Sequence, residues 1–299
     1  MLDDLGLIDH DRRAPGKRGW QSAARAKPEL GEAVSELFKS EPLVAARPHE
    51  PIVLRDKHGK LTDYSETREA GWMRKRLDEI NEGIASAGLP SAIRAPVVRI
   101  FNRDFGRGGR FYAMGGAWQV LSEDARGRIQ IDDEPMVEMD FRCLHPSMLY
   151  VKESIPVPAD AYDLPPWPRD LVKHVLLVLI NAPSRRIAQS AIAHCEAMAD
   201  VALPGTNEAS RNAGRIIKDV AALHRPIDAA FGTDAGAKLM RLDSEIAEAV
   251  MLDMLKRGIV VLPVHDSFLA PASKSSELEQ AMMEAAERKT GTRLLVSLK

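Results

Sequence analysis

With 299 residues, 45% hydrophobic and 28% charged side chains, the chain is long enough for about two cores and too ordinary in composition for a disordered or fibrous protein. Its longest apolar run, Val175–Ile180, is far too short for a bilayer, and no charged stub with an apolar stretch opens the chain. Cys143 and Cys195 stand apart from any metal-ligand spacing, so reduced thiols, no zinc, a cytoplasmic setting and no membrane partner are expected, and a net charge of −2 argues against a protein that simply coats nucleic acid.

Residues 1–45 read as a loosely ordered polar lead-in with a helix around Leu30–Lys39. PIVLRDKHGKLTDY predicts two short strands about a His-Gly turn. The next segment, Ser65 to Gly88, predicts a helix capped by Ser65, with Trp72, Leu77, Ile80 and Ile84 at core spacing. A β-rich stretch follows, ending in the apolar strand that runs into Asp140. Pro166 to Ala202 reads as mostly helical. A Pro/Gly/Asn-rich break comes next, and another helix begins near Ser210. DSEIAEAVMLDMLKRG predicts a helix capped by Asp243 or Ser244 and closed by Gly258. GIVVLPV and SFLAPA predict a hairpin across His265-Asp266, and SSELEQAMMEAAERKTG and TRLLVSL a last helix and strand. The pattern predicts an α+β fold, an antiparallel sheet backed by helices.

Charge is unevenly spread. Between Arg94 and Arg128 seven arginines (94, 99, 103, 107, 110, 126, 128) face three acids, and a second basic cluster holds Arg211, Arg215, Lys218 and Arg225. Such patches on a near-neutral protein suit a groove for a phosphate backbone, and serve equally well as solvated faces.

Two segments carry the chemistry. In VEMDFRCLHPSMLY a strand runs into Asp140; in IVVLPVHDSFLAP Asp266 sits at a hairpin tip. Carboxylates on adjacent strands can share two hard cations and so assist phosphoryl transfer. Taken singly, each acid is as readily a turn former.

Together these segments resemble motifs A and C of palm-domain polymerases. The first is similar to motif A of family A and, in its DFxxLxPS pattern, family B DNA polymerases. His-Asp-Ser-Phe resembles motif C of family A, in the form found in single-subunit phage-type RNA polymerases. GGRFYAMGGAWQVLSEDARGRIQID, just upstream, resembles the family A stretch that contacts template and primer, with Arg110, Gln119, Arg126 and Arg128 at the matching positions. The resemblance covers about Val97–Pro271. It implies two Mg²⁺ ions (Mn²⁺ as substitute) on Asp140, Asp266 and the main-chain carbonyl of Phe141. Ser267 stands where family A has Glu. It implies partners too: a DNA primer-template, dNTPs, and a processivity or replication partner for so small an enzyme.

The resemblance also predicts a cation over the triphosphate. PRDLVKHVLLVLINA offers Arg169 and Lys173 at the spacing of the family's fingers helix, with Leu177 and Asn181 where it has an aromatic and a Tyr-Gly pair. Arg211, Arg215 and Lys218 are the rival for this role. His145, five residues after Asp140, falls with Phe141 and Leu144 at the nucleotide, under the sugar, where a bulky ring disfavours a 2′-OH. His265 is expected near the primer terminus. The implied layout is a thumb-like lead-in at 1–95, palm at 96–154, helical fingers at 155–240 and palm again at 241–299, without a proofreading exonuclease. The alternatives are an RNA-synthesising primase or RNA polymerase, an inactive polymerase-like module that only binds nucleic acid, and a metal nuclease using the same two acids.

Overall fold

The computed structural model describes residues 8–11, 23–29, 50–91 and 93–299. The chain divides into two units, Met1–His49 and Glu50–Lys299. In the first, β1 (Ile8–Asp11) and β2 (Ala23–Ala26) form an antiparallel pair. The helix expected around Leu30–Lys39 lies outside the described residues.

In the larger unit, apolar alternation and helical periodicity resolve into two sheets with helices against them. β3 (Ile52–Arg55), β4 (Val97–Asn102) and β5 (Asp104–Ala113) form a three-stranded sheet, with β3 parallel to β4 and β4 antiparallel to β5. The expected second strand after the His-Gly turn shrinks to one bridge, Arg55 to Leu61. The reason is local: Asp56 accepts from the amides of His58 (2.8 Å) and Lys60 (2.9 Å), closing a tight Asx-type turn, and β3 pairs with distant β4 instead.

The main sheet has the order β10-β7-β9-β8 and is antiparallel throughout, as expected for an α+β layer fold. Its strands are β7 (Glu134–Phe141), β8 (Leu262–Val264), β9 (Ser267–Pro271) and β10 (Val296–Leu298), with β6 (Gln130–Ile131) on the start of β7.

Helix α1 (Arg68–Ser86) is capped by Thr67, which accepts from the Ala70 amide, rather than by Ser65. Met73, Leu77, Ile80 and Ile84 are its core face. Trp72, expected in the core, is 56% exposed, with the Arg68 guanidinium over its ring; Met73, one position on, takes the inward direction. Then come α2 (Leu144–Lys152), α3 (Arg169–Asn181), α4 (Arg185–Ala193) and α5 (Asn207–Leu223), the last starting earlier than expected because Thr206 caps it. The buried His224 ring donates from Nε2 to the Ala161 carbonyl (2.9 Å) and accepts at Nδ1 from the Tyr150 hydroxyl (2.9 Å), tying α2 to the loop before α3.

The largest departure is α6. It runs from Ala235 to Lys256, so Asp243 and Ser244 lie mid-helix and buried instead of capping it. This helix crosses β5 at close range. Gly109, at φ +84, allows it: a Cβ there would stand 2.6 Å from the Phe101 ring and 2.9 Å from Ser244 Oγ. α7 (Ser275–Thr290) ends at Gly291 and packs on the main sheet. Among the described residues no helix is long and apolar enough to cross a membrane.

Candidate active site

The two acids picked out by the motifs meet because of strand register. Asp140, next to last in β7, pairs with Ser267 of β9, which places Asp266 at the β8–β9 turn directly beside it. The Phe141 amide donates to the Asp266 carbonyl at 3.5 Å, and His265 takes φ +59 to make the turn. Burial, then the neighbouring Asp266 charge, push the Asp140 carboxyl up to about 6, with Lys299 opposing. Asp140 Oδ1 is buried without a hydrogen-bond partner among the described residues. An orphaned carboxylate oxygen beside a second carboxylate suits a hard cation with oxygen ligands. The donor set is lean: no group of three or more His, Cys, Asp or Glu side chains among the described residues could hold a metal. Two carboxylates and main-chain carbonyls would have to suffice. Phe141 and Leu144 border the same cleft, their side chains buried.

Glu138 lies two residues before Asp140 and therefore on the same face of β7. It is 7% exposed and takes Arg126 Nε on Oε2 (2.7 Å), with Ser267 Oγ (2.6 Å) and Lys299 Nζ (2.9 Å) on Oε1. Burial would raise its pKa, but these three hydrogen bonds prevail and hold it below the ordinary carboxylate range. Sequence reasoning passed over Glu138, although strand alternation from Asp140 reaches it directly.

A cleft of about 700 Å³ opens over the carboxylates. Helix α3 also lines it, presenting Arg169, Lys173, Leu177 and Asn181 at four-residue intervals along one helical face. Lys173 is exposed and makes no ion pair among the described residues. Arg169 is engaged by Asp160, with Nη2 at 3.1 Å from Oδ1 and Nε at 3.2 Å from Oδ2, and its guanidinium covers the Tyr162 ring. The rival cations Arg211, Arg215 and Lys218 are exposed on α5 and do not line this cleft.

His145, in the first turn of α2, borders the cleft at 8% exposure. Its Nε2 stands 3.0 Å from Asp243 Oδ2, which also accepts from Arg110 Nη2 (2.5 Å) and Nε (2.9 Å). Burial works against the Arg110 charge, and the Asp243 carboxylate outweighs it, so the guanidinium pKa is pushed up. Asp243 thus clamps two cleft residues 35 positions apart in sequence. Sequence reasoning missed this role by reading Asp243 as a helix cap. The signal was the apolar spacing Leu239, Leu242, Ile246, which already carries the helix upstream of it.

The residues matched to template and primer contacts are distributed differently. Arg110 and His265 reach the cleft. Gln119 spends its amide on the backbone: Oε1 accepts from the Ala113 amide, and Nε2 donates to the Phe111 and Pro263 carbonyls. Arg126 is held by Glu138 and the Leu121 carbonyl, whereas Arg128 is exposed outside the cleft. The basic stretch is largely neutralised internally. Arg99 pairs with Glu248, Arg103 and Arg107 with Asp234, and Arg110 with Asp243.

Comparison with known proteins adds little to this geometry. No family model matches the chain, and no curated protein matches it. Among solved structures it is similar to the polymerase domain of Pol1 from M. smegmatis in complex with DNA primer-template and dNTP. The TM-score is 0.36 and the identity 16%, over 77% of this chain. The chain matches about half of that protein's length, 51%.

Proposed function

We propose that the chain is a template-directed DNA polymerase that adds deoxynucleotides to a primer 3′-OH. The observation that carries this reading is one cleft. Two adjacent carboxylates, Asp140 and Asp266, and Lys173, which has no ion pair among the described residues, line it together from three segments far apart in sequence. In the reaction the 3′ oxygen bonds to the α-phosphorus of the dNTP as the bond to pyrophosphate breaks, and the hydroxyl proton leaves to solvent. Two divalent cations held by Asp140 and Asp266 would lower the pKa of that hydroxyl and neutralise charge on the leaving group. Lys173 lines the same cleft, and its ammonium would meet the departing pyrophosphate, a group that gains negative charge in the transition state. Arg169 would have to exchange Asp160 for the γ-phosphate to act beside it.

His145 favours deoxynucleotides over the RNA-synthesising alternative. Its ring borders the cleft one short turn after Asp140 and is held by Asp243, and in this reading it would fill the space of a 2′-OH. Asp140 and Asp266 would serve a nuclease equally well, but that reading leaves Lys173 and the His145 wall without a task. The α3–α5 segment would act as reduced fingers and the main sheet as palm.

The test is primer extension on a DNA template with Mg²⁺, offering each dNTP and rNTP in turn. Asp140→Ala and Asp266→Ala should each abolish extension while retaining a folded circular dichroism spectrum. Lys173→Ala should lower kcat by about two orders of magnitude, the usual loss of one transition-state donor, and Lys218→Ala should have little effect. Extension persisting without either carboxylate refutes the assignment.

A further inference from the structure

Strand β10 runs antiparallel to β7 with Ser297 opposite Asp140 and Leu298 opposite Met139, and the Lys299 amide donates to the Glu138 carbonyl at 2.9 Å. This pairing delivers the Lys299 side chain to the carboxylate face of β7. Its Nζ stands 2.9 Å from Glu138 Oε1 and 3.4 Å from Asp140 Oδ2. Glu138 has other support: Arg126 covers its Oε2, and Ser267 donates to its Oε1. Asp140 does not. Among the described residues its Oδ1 is buried without a hydrogen-bond partner, and Lys299 is the cation that reaches its Oδ2.

We propose that the Lys299 ammonium is a built-in counter-ion of the Asp140–Asp266 pair, competing with divalent cations and setting how tightly they are held. The inference rests on the reading of these two acids as metal ligands. Its physical basis is the character of the group: an ammonium is a compact point charge on a flexible stem, so it can neutralise a carboxylate and yield the Asp140 contact while staying beside Glu138. Without a divalent ion it offsets the repulsion between the two acids. With one bound at Asp140, its unit charge lies a few ångströms from the ion and opposes binding. Lys299 is thus a positioning residue on the Asp140 flank, which fixes the cation concentration at which the site fills. A lysine serving only to clasp β10 onto β7 would give no such dependence.

The test measures Mn²⁺ binding by titration calorimetry at about pH 8, on the full chain without nucleotide or DNA. Wild type is compared with Lys299→Met, Lys299→Arg and Asp140→Asn. Lys299→Met should lower the Kd about tenfold or more, the scale of one unit charge acting on a divalent ion a few ångströms away in water. Lys299→Arg, which keeps the charge, should stay close to wild type, and added salt should narrow the gap between Met variant and wild type. Should the Met variant not fold, Lys299→Gln removes the charge and keeps a donor for Glu138. If Asp140→Asn abolishes binding while Lys299→Met or Lys299→Gln binds no tighter than wild type, the counter-ion inference fails and the ligand assignment stands. If Asp140→Asn binds Mn²⁺ as wild type does, the ligand assignment fails and the inference with it.

Discussion

Asp140 is a carboxylate that the apo fold would rather keep protonated. Its ordinary value is 3.8, and in the folded chain burial and Asp266 push it up to about 6. Below about pH 4 it is protonated both folded and unfolded, so the folded state bears no charge penalty. As pH rises from about 4 to 6 the unfolded chain ionises first, and apo stability falls. Asp140→Asn removes this slope, so above pH 7 the metal-free variant should be more stable than wild type by about 1–3 kcal/mol, at about 1.4 kcal/mol per pKa unit. Urea denaturation at pH 4.5 and 7.5 measures it; a variant gaining nothing at pH 7.5 refutes the burial argument. Asp243 acts through its neighbours. Asp243→Asn weakens the hold on both Arg110 and His145. It should lower the dNTP/rNTP ratio of kcat/KM in the same direction as His145→Ala, and the double variant should add little beyond the larger single effect. Additive losses would mean that Asp243 acts independently of the ring. Asp140, Asp266 and His145 were legible because short motifs name them. Strand alternation and helical spacing put Glu138 and Asp243 within reach, but their partners, and the contact of Lys299 with Asp140, come from strand register and a helix crossing that join distant segments.

Helix α6 does the most joining. Local propensity suggested a start at Asp243 or Ser244, since both residue types favour caps. The tertiary environment overrides that choice: two further turns upstream bury Leu239 and bring Asp243, Ser244 and Glu248 against β4 and β5. Arg99 is the counterpart on the sheet. At 1% exposure it donates to Glu248 Oε2 (2.5 Å), Ser244 Oγ (3.0 Å) and the Gly109 carbonyl (3.0 Å), between the Phe101 and Phe111 rings. Burial pulls its pKa down to about 10, against the Glu248 charge that raises it. Removing Glu248 strands a buried cation, and Arg76 Nε at 2.6 Å loses the same partner. Glu248→Ala should therefore cost about 3–5 kcal/mol, and Arg99→Met less, because a methionine fills the slot without a charge to desolvate. Thermal unfolding of the two variants decides; equal losses would make the packing, not the charge, responsible. The two hairpin strands around Asp266 and the helix α7 were readable because turn residues bound the strands and Gly291 ends the helix. The parallel β3–β4 pair was not, since nothing local in β3 distinguishes a hairpin partner from a strand whose paired residues lie 47 positions on.

At the scale of the whole molecule the question is where positive charge remains for a nucleic acid. The run from Arg94 to Arg128 looks like a phosphate grip in sequence, yet the fold answers it with acids from elsewhere. Asp234, Asp243 and Glu248 of the α6 region meet Arg103, Arg107, Arg110 and Arg99, and Glu138 meets Arg126. Exposed and without an ion pair among the described residues are Lys173 and Arg142 in the cleft, Arg128 outside it, Arg211, Arg215 and Lys218 on α5, and scattered cations such as Lys57, Lys75, Lys152, Arg186, Arg225 and Lys238. A duplex running from the cleft past Arg128 meets only a few of these, Lys173 and Arg142 first, and should displace few counterions. Each phosphate neutralised contributes about −0.9 to the slope of log K against log salt. We expect a slope of about −2 to −4, measured by fluorescence anisotropy of a labelled duplex across a range of salt concentrations. Arg128→Ala should make the slope shallower by about one. Arg107→Ala should leave it unchanged, because that guanidinium is already spent on Asp234 at 3.0 Å. A slope near −7, or an equal loss in the Arg107 variant, would mean that the internal pairs open on binding and that the arginine stretch grips the phosphates after all.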